Sequence, residues 1–164
     1  MAGLKTLREG GVITAAVSSQ ISIGSSALLI ASEEAVKQHN LTPRARIRTL
    51  VVEGSDPVYM LTGPIPATEK ALKRGGLTID DIDVFEVNEA FAPVPMAWLK
   101  DIGADEERLN PNGGAIALGH PLGGSGARIL TTLLYHMRDN NIQYGLQTMC
   151  EGGGQANATI LELL

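Results

Sequence analysis

The spacing of apolar positions along the chain predicts alternating strands and helices. Apolar residues recur at helical spacing across residues 126–139, which predicts a helix there. Charged and apolar residues alternate across 45–52, which predicts a strand with one solvated face. Alternation of the two kinds of element along a chain indicates an α/β fold. The other predicted strands are short apolar runs at 12–17, 27–31, 84–87, 143–149 and 156–163.

Local signals predict three further helices. Ser32 is a suitable N-cap for a helix that ends near residue 40, and two glutamates follow it in the first turn. Pro66 is placed to start a helix that continues to about residue 74. A third helix is predicted over 96–101. We expect the resulting sheet to carry helical layers.

Composition and charge narrow the class of protein. The chain has 164 residues, of which 44% are hydrophobic and 19% charged, so it can form one globular domain with its own core. A net charge of −5 disfavours nucleic acid and anionic membranes as partners. The single cysteine excludes an internal disulfide, and no apolar run has the length of a transmembrane helix or the pattern of a signal peptide. We therefore expect a cytoplasmic protein.

Three loops carry the candidate chemistry, and each lies at a predicted strand end or helix start. They are residues 88–91, 119–121 and the predicted hairpin turn 150–154. The second loop lies within a stretch, 110–128, that contains six of the 19 glycines. Binding and catalytic sites of open α/β sheets collect at such loops. Cysteine, histidine and asparagine can together supply an activated thiol, a proton shuttle and oxyanion support.

Simpler interpretations compete with these sites. A lone cysteine such as Cys150 is most often a small buried hydrophobe. His39 and His136 are assigned to helix surfaces. The run 123–126 matches neither the phosphate-loop nor the dinucleotide pattern. The acidic residues at 80–83 have no histidine nearby, so no metal site is expected.

Taken together, these segments resemble the C-terminal signatures of the thiolases, the acetyl-CoA acyltransferases. The matching segments, in the family's order, are 14–22, 62–67, 88–92, 112–128 and 150–154. The resemblance covers the whole chain, 1–164, as one domain. Residues 1–55 or so resemble the tail of the family's N-terminal half, and residues from about 56 to 164 resemble its C-terminal half. It implies an α/β fold with a five-stranded mixed sheet and helices on both faces. It also implies an enzyme that cleaves 3-ketoacyl-CoA by thiolysis or condenses acetyl-CoA.

The resemblance implies a role for each matching residue. His120 would activate the nucleophilic cysteine and help bind the thioester oxygen, and Asn88 would hold a water at that oxyanion site. Cys150 would move the α-carbon proton and protonate the leaving thiolate, which as a base requires its pKa to be lowered by an imidazole or backbone dipoles. Gly152 would donate a backbone N–H to a second oxyanion hole, and Ser19 would line the pantetheine path. The coenzyme A thioester is then the substrate, with no separate cofactor.

The family's nucleophilic cysteine belongs to the N-terminal half, and Cys150 is the one cysteine in this sequence. We therefore expect activity only with a complementary thiolase N-terminal half, supplied in trans or by a homologous partner. The expected partners are that half or further copies of this chain in a homo-oligomer, besides the acyl-CoA substrate. Val17 and Ile23 depart from the small polar residue and the aspartate expected at their positions, and Glu151 replaces a residue that is apolar in many relatives. Two other readings stay open: a catalytically inactive interaction or oligomerisation module, and a thioesterase-like pair of Cys150 and His120.

Overall fold

A four-stranded mixed sheet organises the computed structural model, which describes residues 3–164. In spatial order, its strands are β1 (Ala45–Gly54), β4 (Gln155–Leu163), β3 (Tyr144–Glu151) and β2 (Val84–Val87). Strand β4 runs antiparallel to both of its neighbours, whereas β2 and β3 are parallel. The carboxyl ends of β2 and β3 therefore meet at one edge of the sheet, and the loops that follow them begin there.

Three of the predicted helices begin one to three residues earlier than predicted, and one short helix lies where none was predicted. The helices formed by residues 3–164 are α1 (Glu33–Gln38), α2 (Pro64–Gly75), α3 (Pro93–Ile102), α4 (Ala115–Leu118) and α5 (Ser125–Asn140). The predicted long helix over 126–139 is confirmed as α5. The predicted N-cap is also confirmed, since the backbone N–H of Ala35 donates to Ser32 Oγ. Helices α2 and α3 begin at prolines, because the missing N–H costs no intrahelical hydrogen bond in a first turn.

The prediction of five strands was wrong, because the sheet formed by residues 3–164 has four. The run 12–17, predicted as a strand, contains a 3-10 turn at Ala15–Val17 instead. The run 27–31 joins no strand ladder within the described residues, and Leu29 and Ile30 are 84% and 73% exposed. A strand forms only where its backbone groups pair with a neighbouring strand. Within residues 3–164, neither of these two apolar runs pairs with a strand of the sheet.

Helices α2 and α3 cover one face of the sheet. Trp98 of α3 is completely buried, and its ring centroid lies 5.2 Å from that of Phe85 on β2. The indole N–H of Trp98 donates to Oγ1 of Thr68 on α2 at 2.9 Å. A buried indole needs such a partner, so this hydrogen bond fixes α3 against α2 within the main core.

Helix α5 covers the opposite face, where Leu133 and Met137 pack against Val84. Close approach of α5 to β3 depends on Gly145, since a Cβ there would lie 2.6 Å from Met137 Sδ. The sheet is thus enclosed between two helical layers, as expected for an α/β fold. None of the helices in residues 3–164 is both long enough and apolar enough to cross a membrane.

The Thr68–Trp98 hydrogen bond predicts a stability change. Thr68→Val keeps the side-chain shape but leaves the Trp98 N–H unpaired in the core, so the free energy of unfolding should fall by about 1–3 kcal/mol. Urea unfolding measures the change. Thr62→Val, at an exposed threonine, is the control and should change stability by less than about 0.5 kcal/mol. Equal losses in the two variants would contradict the role given to this bond.

Candidate active site

Asn88 and Cys150 lie at the shared carboxyl edge of β2 and β3. Val87, the last residue of β2, is in register with Thr148, and the backbone N–H of Asn88 donates to the Thr148 carbonyl at 3.0 Å. Cys150 lies two residues further along β3, opposite Ala156 of β4. The strand pairing therefore brings these two predicted site residues to the same edge.

The side chain of Asn88 is buried without an internal partner. Its residue is 3% exposed, and neither Oδ1 nor Nδ2 forms a hydrogen bond with the described part of the chain. An unpaired buried amide costs free energy, and proteins keep such groups mainly where a ligand or an ordered water uses them. The burial of Asn88 thus fits a binding group better than a packing residue.

The segment 14–22 ties the Asn88 loop to the His120 loop. The backbone N–H of Ser19 donates to the Ala90 carbonyl at 3.0 Å. The next carbonyl, that of Gln20, accepts from the N–H of His120 at 2.9 Å. Ser19, His120 and the residues after Asn88 are therefore joined by consecutive backbone hydrogen bonds.

The hydrogen bonds of His120 define its tautomer. Its Nδ1 lies 2.7 Å from Oγ of Ser125, and the same hydroxyl donates to the Pro121 carbonyl at 2.9 Å. A serine hydroxyl has one proton, and with that proton on Pro121 it must accept from Nδ1–H. This assignment leaves Nε2 with its lone pair. Burial, assisted by the positive charge of Arg128, lowers the pKa of His120, so the ring is a neutral base or acceptor.

The pKa of the Cys150 thiol is raised above its ordinary value. Burial raises the pKa of its thiol, and a backbone hydrogen bond lowers this pKa by less than burial raises it. The nearby Glu151 carboxylate makes the smallest contribution, which is a further rise. The lowered pKa that Cys150 would need to act as a base in its resting state is therefore not present, because desolvation outweighs the backbone dipole. In this state Cys150 is a protonated thiol, which is a proton donor.

Gly152 lies outside these contacts, at the exposed start of the turn 152–154 that joins β3 to β4. A Cβ at Gly152 would meet no atom within 4 Å, so packing within the described chain does not require glycine there. Gly154, by contrast, has a φ of 81°, and a Cβ would lie 2.7 Å from Cα of Pro57. Backbone geometry therefore demands glycine at the end of the turn.

Two charged residues near the site, the buried Glu86 and the half-buried Arg128, were not predicted as site residues from the sequence. Glu86 is 2% exposed in the middle of β2, and burial raises its pKa to about 8, with Glu89 adding to the rise and Arg128 opposing it. Arg128 donates from Nη2 to the Gly119 carbonyl at 3.4 Å, next to His120. A glutamate inside an otherwise apolar strand was the available signal for Glu86. Among residues 3–164, no three histidine, cysteine, aspartate or glutamate side chains group as metal ligands.

Comparison with known proteins agrees with this fold. Residues 41–163 match the thiolase C-terminal domain. The chain belongs to the thiolase family.

Individual relatives give the extent of the similarity. The chain is 64% identical over 164 residues to a steroid 3-ketoacyl-CoA thiolase of Mycobacterium tuberculosis, covering all of this chain and 40% of that protein. The crystal structure of the Bacillus anthracis acetyl-CoA acetyltransferase superposes with a TM-score of 0.95 at 40% identity, over 99% of this chain and 42% of the other. The crystal structure of human mitochondrial 3-ketoacyl-CoA thiolase in complex with CoA superposes with a TM-score of 0.91 at 42% identity. The match covers 99% of this chain and 42% of the human chain.

These figures confirm the resemblance found in the sequence, and the chain spans about two fifths of the length of the relatives it matches. The division near residue 55 stays a prediction. Strand β1, at 45–54, already belongs to the sheet completed by β4.

The raised pKa of Glu86 predicts that stability falls with rising pH. Between its ordinary value of 4.5 and about 8 the folded protein keeps a proton that the unfolded chain releases, so the free energy of unfolding declines across this window. Glu86→Gln is neutral at every pH and should remove a decline on the order of a few kcal/mol. Urea unfolding between about pH 5 and about pH 8 measures it.

The control for this prediction is Glu69→Gln, which neutralises an exposed carboxylate of α2 and should keep the wild-type decline. An undiminished decline in Glu86→Gln would contradict a protonated Glu86.

The charge of Glu151 predicts the reactivity of Cys150. Glu151→Gln removes a charge that raises the pKa of the thiol, so the thiolate fraction should grow and alkylation by iodoacetamide should accelerate about twofold or more. Mass spectrometry follows the adduct with time, and Glu69→Gln again serves as the matched control. A rate equal to or below that of the control would show that Glu151 does not set the acidity of the thiol.

Proposed function

We propose that this chain forms the C-terminal half of a thiolase-type acyltransferase, which cleaves 3-ketoacyl-CoA by thiolysis or, in reverse, condenses acetyl-CoA. The observation that carries the proposal is the joining of the Asn88 and His120 loops, through Ser19 and Gln20, at the strand edge that holds Cys150. The similarity to 3-ketoacyl-CoA thiolases supports the same chemistry.

His120 and Cys150 divide the proton transfers of the reaction between them. In thiolysis, Nε2 of His120 takes the proton of a nucleophilic thiol supplied by the complementary half, and the thiolate attacks the 3-keto carbon. The bond between the α and β carbons breaks, and the departing enolate takes the proton of Cys150. The Cys150 thiolate then accepts the proton of an incoming CoA thiol, which attacks the acyl group and carries it away as a shortened thioester. The displaced thiolate of the nucleophilic cysteine recovers its proton from His120, which restores both groups.

The ground-state protonation supports this order of events. Cys150 is held as a thiol by burial, and this is the form that protonation of the departing enolate requires. His120 is held neutral, so it can act first as a base and then, once protonated, as a donor to the thioester oxygen. The unpaired amide of Asn88 would hold the water of that oxyanion site, and the Gly152 N–H would serve the second. Ser19 would line the pantetheine path.

An exposed apolar segment supports a partner for this half. Leu29 and Ile30 are largely exposed in a run that forms neither helix nor strand, and Ile21 and Ile23 before them are completely exposed. An apolar segment whose backbone joins no ladder is available to add a strand to another sheet. We propose a complementary thiolase N-terminal half as the partner, with homo-oligomerisation as a further association. We also propose a cytoplasmic location and no cofactor besides the thioester substrate.

Complementation tests the proposal. The chain is mixed with the N-terminal half of the Mycobacterium tuberculosis relative, and cleavage of acetoacetyl-CoA by CoA is followed. Thiolysis is expected in the mixture, and His120→Ala or Cys150→Ala should lower kcat by about 10²- to 10⁴-fold. His39→Ala, at the exposed end of α1, is the histidine control and should leave the rate unchanged.

Other outcomes identify the competing functions. A stable complex without thiolysis, formed equally by wild type and Cys150→Ala, would favour the inactive interaction module. An acyl adduct on Cys150 after exposure of the chain alone to acyl-CoA would favour the thioesterase-like pair of Cys150 and His120. Either result would overturn the proposed acyltransferase.

A further inference from the structure

Glu89 uses both carboxylate oxygens to join two separate loops. Its Oε2 accepts from the backbone N–H of Ile116 at 3.0 Å, and its Oε1 accepts from Nδ2 of Asn110 at 3.2 Å. The carboxylate lies directly against the backbone of Gly114, where a Cβ would be 2.0 Å from Cδ of Glu89. We call Glu89, Asn110, Gly114 and Ile116 the Glu89 clasp.

One side of the Glu89 clasp is anchored on β2. Asn110 Oδ1 accepts from the backbone N–H of Val87 at 2.9 Å, and its Nδ2 donates to the Val87 carbonyl at 3.0 Å. The backbone N–H of Asn110 donates to the Phe85 carbonyl at 2.8 Å. Asn110 is thus bound to the end of the strand that presents Asn88, so the clasp has a rigid base.

The other side of the Glu89 clasp holds the first turn of α4, the helix that precedes His120. Ile116 is the second residue of α4, and its N–H is one of the amides that a helix start leaves without an intrahelical acceptor. Helix α4 is four residues long and ends at Leu118, so that Gly119 alone separates it from His120. Because so short a helix cannot hold itself together, its orientation depends on what binds its first turn.

We infer that Glu89 is a positioning residue: its carboxylate fixes the start of α4 to the Asn88 strand and thereby sets the place of His120 relative to Asn88. This role rests on the proposed acyltransferase function. The far end of the loop is held separately by the Gln20 carbonyl, which accepts from the His120 N–H. With Glu89 at one end and Gln20 at the other, the loop has two fixed points and a defined course.

Exposed glutamates on a loop usually do no more than solvate a surface, but the contacts of Glu89 exclude that role. Both of its oxygens accept hydrogen bonds from the protein, and the residue is half-buried. Hydrogen bonds to a charged acceptor are about twice as strong as neutral ones. The glycine at 114 further shows that the backbone there has room for this carboxylate and for no side chain of its own.

The first arm of the test measures the clasp in the chain alone. Glu89→Ala removes both acceptors and Glu89→Gln removes one, so backbone hydrogen exchange at Ile116 should accelerate by about tenfold or more in Glu89→Ala. In Glu89→Gln, either the Ile116 amide or the side-chain amide of Asn110 should change its NMR signal. Glu69→Ala and Glu69→Gln, at an exposed carboxylate, should leave both groups unchanged.

The second arm measures catalysis in the complemented enzyme. Misplacing a catalytic base lowers kcat while substrate binding persists, so Glu89→Ala should lower kcat by about 10²-fold and Glu89→Gln by about tenfold. The KM for acetoacetyl-CoA should stay within about twofold. A merely structural role would instead reduce the fraction of active enzyme, and kcat per folded molecule, counted by active-site titration, would match that of Glu69→Ala.

The two arms separate the ways in which the inference can fail. Unchanged Ile116 exchange in Glu89→Ala shows that the clasp does not hold α4. Faster exchange with unchanged kcat shows that the clasp does not position His120, while the acyltransferase function stands. A wild-type mixture without thiolysis overturns the proposed function, and the positioning role falls with it even if exchange confirms the clasp. If Glu89→Ala does not fold, Glu89→Gln decides both arms.

Discussion

The parallel pairing of β2 with β3 is the constraint on which the site depends. It sets Val87 opposite Thr148 and so delivers Asn88 and Cys150 to the same edge from positions about 60 residues apart in sequence. A shift of β2 by one residue would turn its own side chains, Asn88 among them, to the opposite face, and burial of Phe85 under Trp98 prevents such a shift. Packing between Phe85 and Trp98 thus fixes the strand register that brings Asn88 and Cys150 to the same edge.

Burial, more than charge pairing, determines where the protons reside. Desolvation is the largest influence on His120, Glu86 and Cys150, and in each case it favours the neutral form. Neutral imidazole and neutral thiol are opposite in function, since one accepts a proton and the other donates it. A single physical cause therefore prepares both a base and an acid, and Arg128 is the charged group that modulates the imidazole.

Local patterns in the sequence predicted the elements whose causes are local. Periodicity located α5 to within one residue at each end, and the Ser32 cap was found from residue type alone. The strand predicted at 27–31 failed because strand formation needs a partner that periodicity does not reveal. The direction of the pKa shift of Cys150 could not be predicted from the sequence, because burial in the tertiary structure, rather than a sequence neighbour, dominates it.

The contacts of Glu89 escaped prediction for the same reason as the strand. Its partners lie 21 and 27 residues away in the chain, and nothing in the local spacing shows that the carboxylate meets Asn110 and Ile116. His120 and Asn88 were recognised by motif, whereas the hydrogen bonds that join their loops through Ser19 and Gln20 could be found only in three dimensions.

The position of β4 has a consequence for how the protein is made. This strand pairs with β1 on one side and β3 on the other, yet it follows both of them along the chain. Until residues 155–163 leave the ribosome, β1 has no ladder partner in the sheet and the core over β4 stays open. Non-local pairing of this kind slows folding and leaves apolar surface uncovered during synthesis. We therefore expect the sheet to close only after residue 163 has been synthesised. A chain that ends before residue 155 would leave β1 unpaired and the apolar core open, which is the kind of surface that chaperones bind.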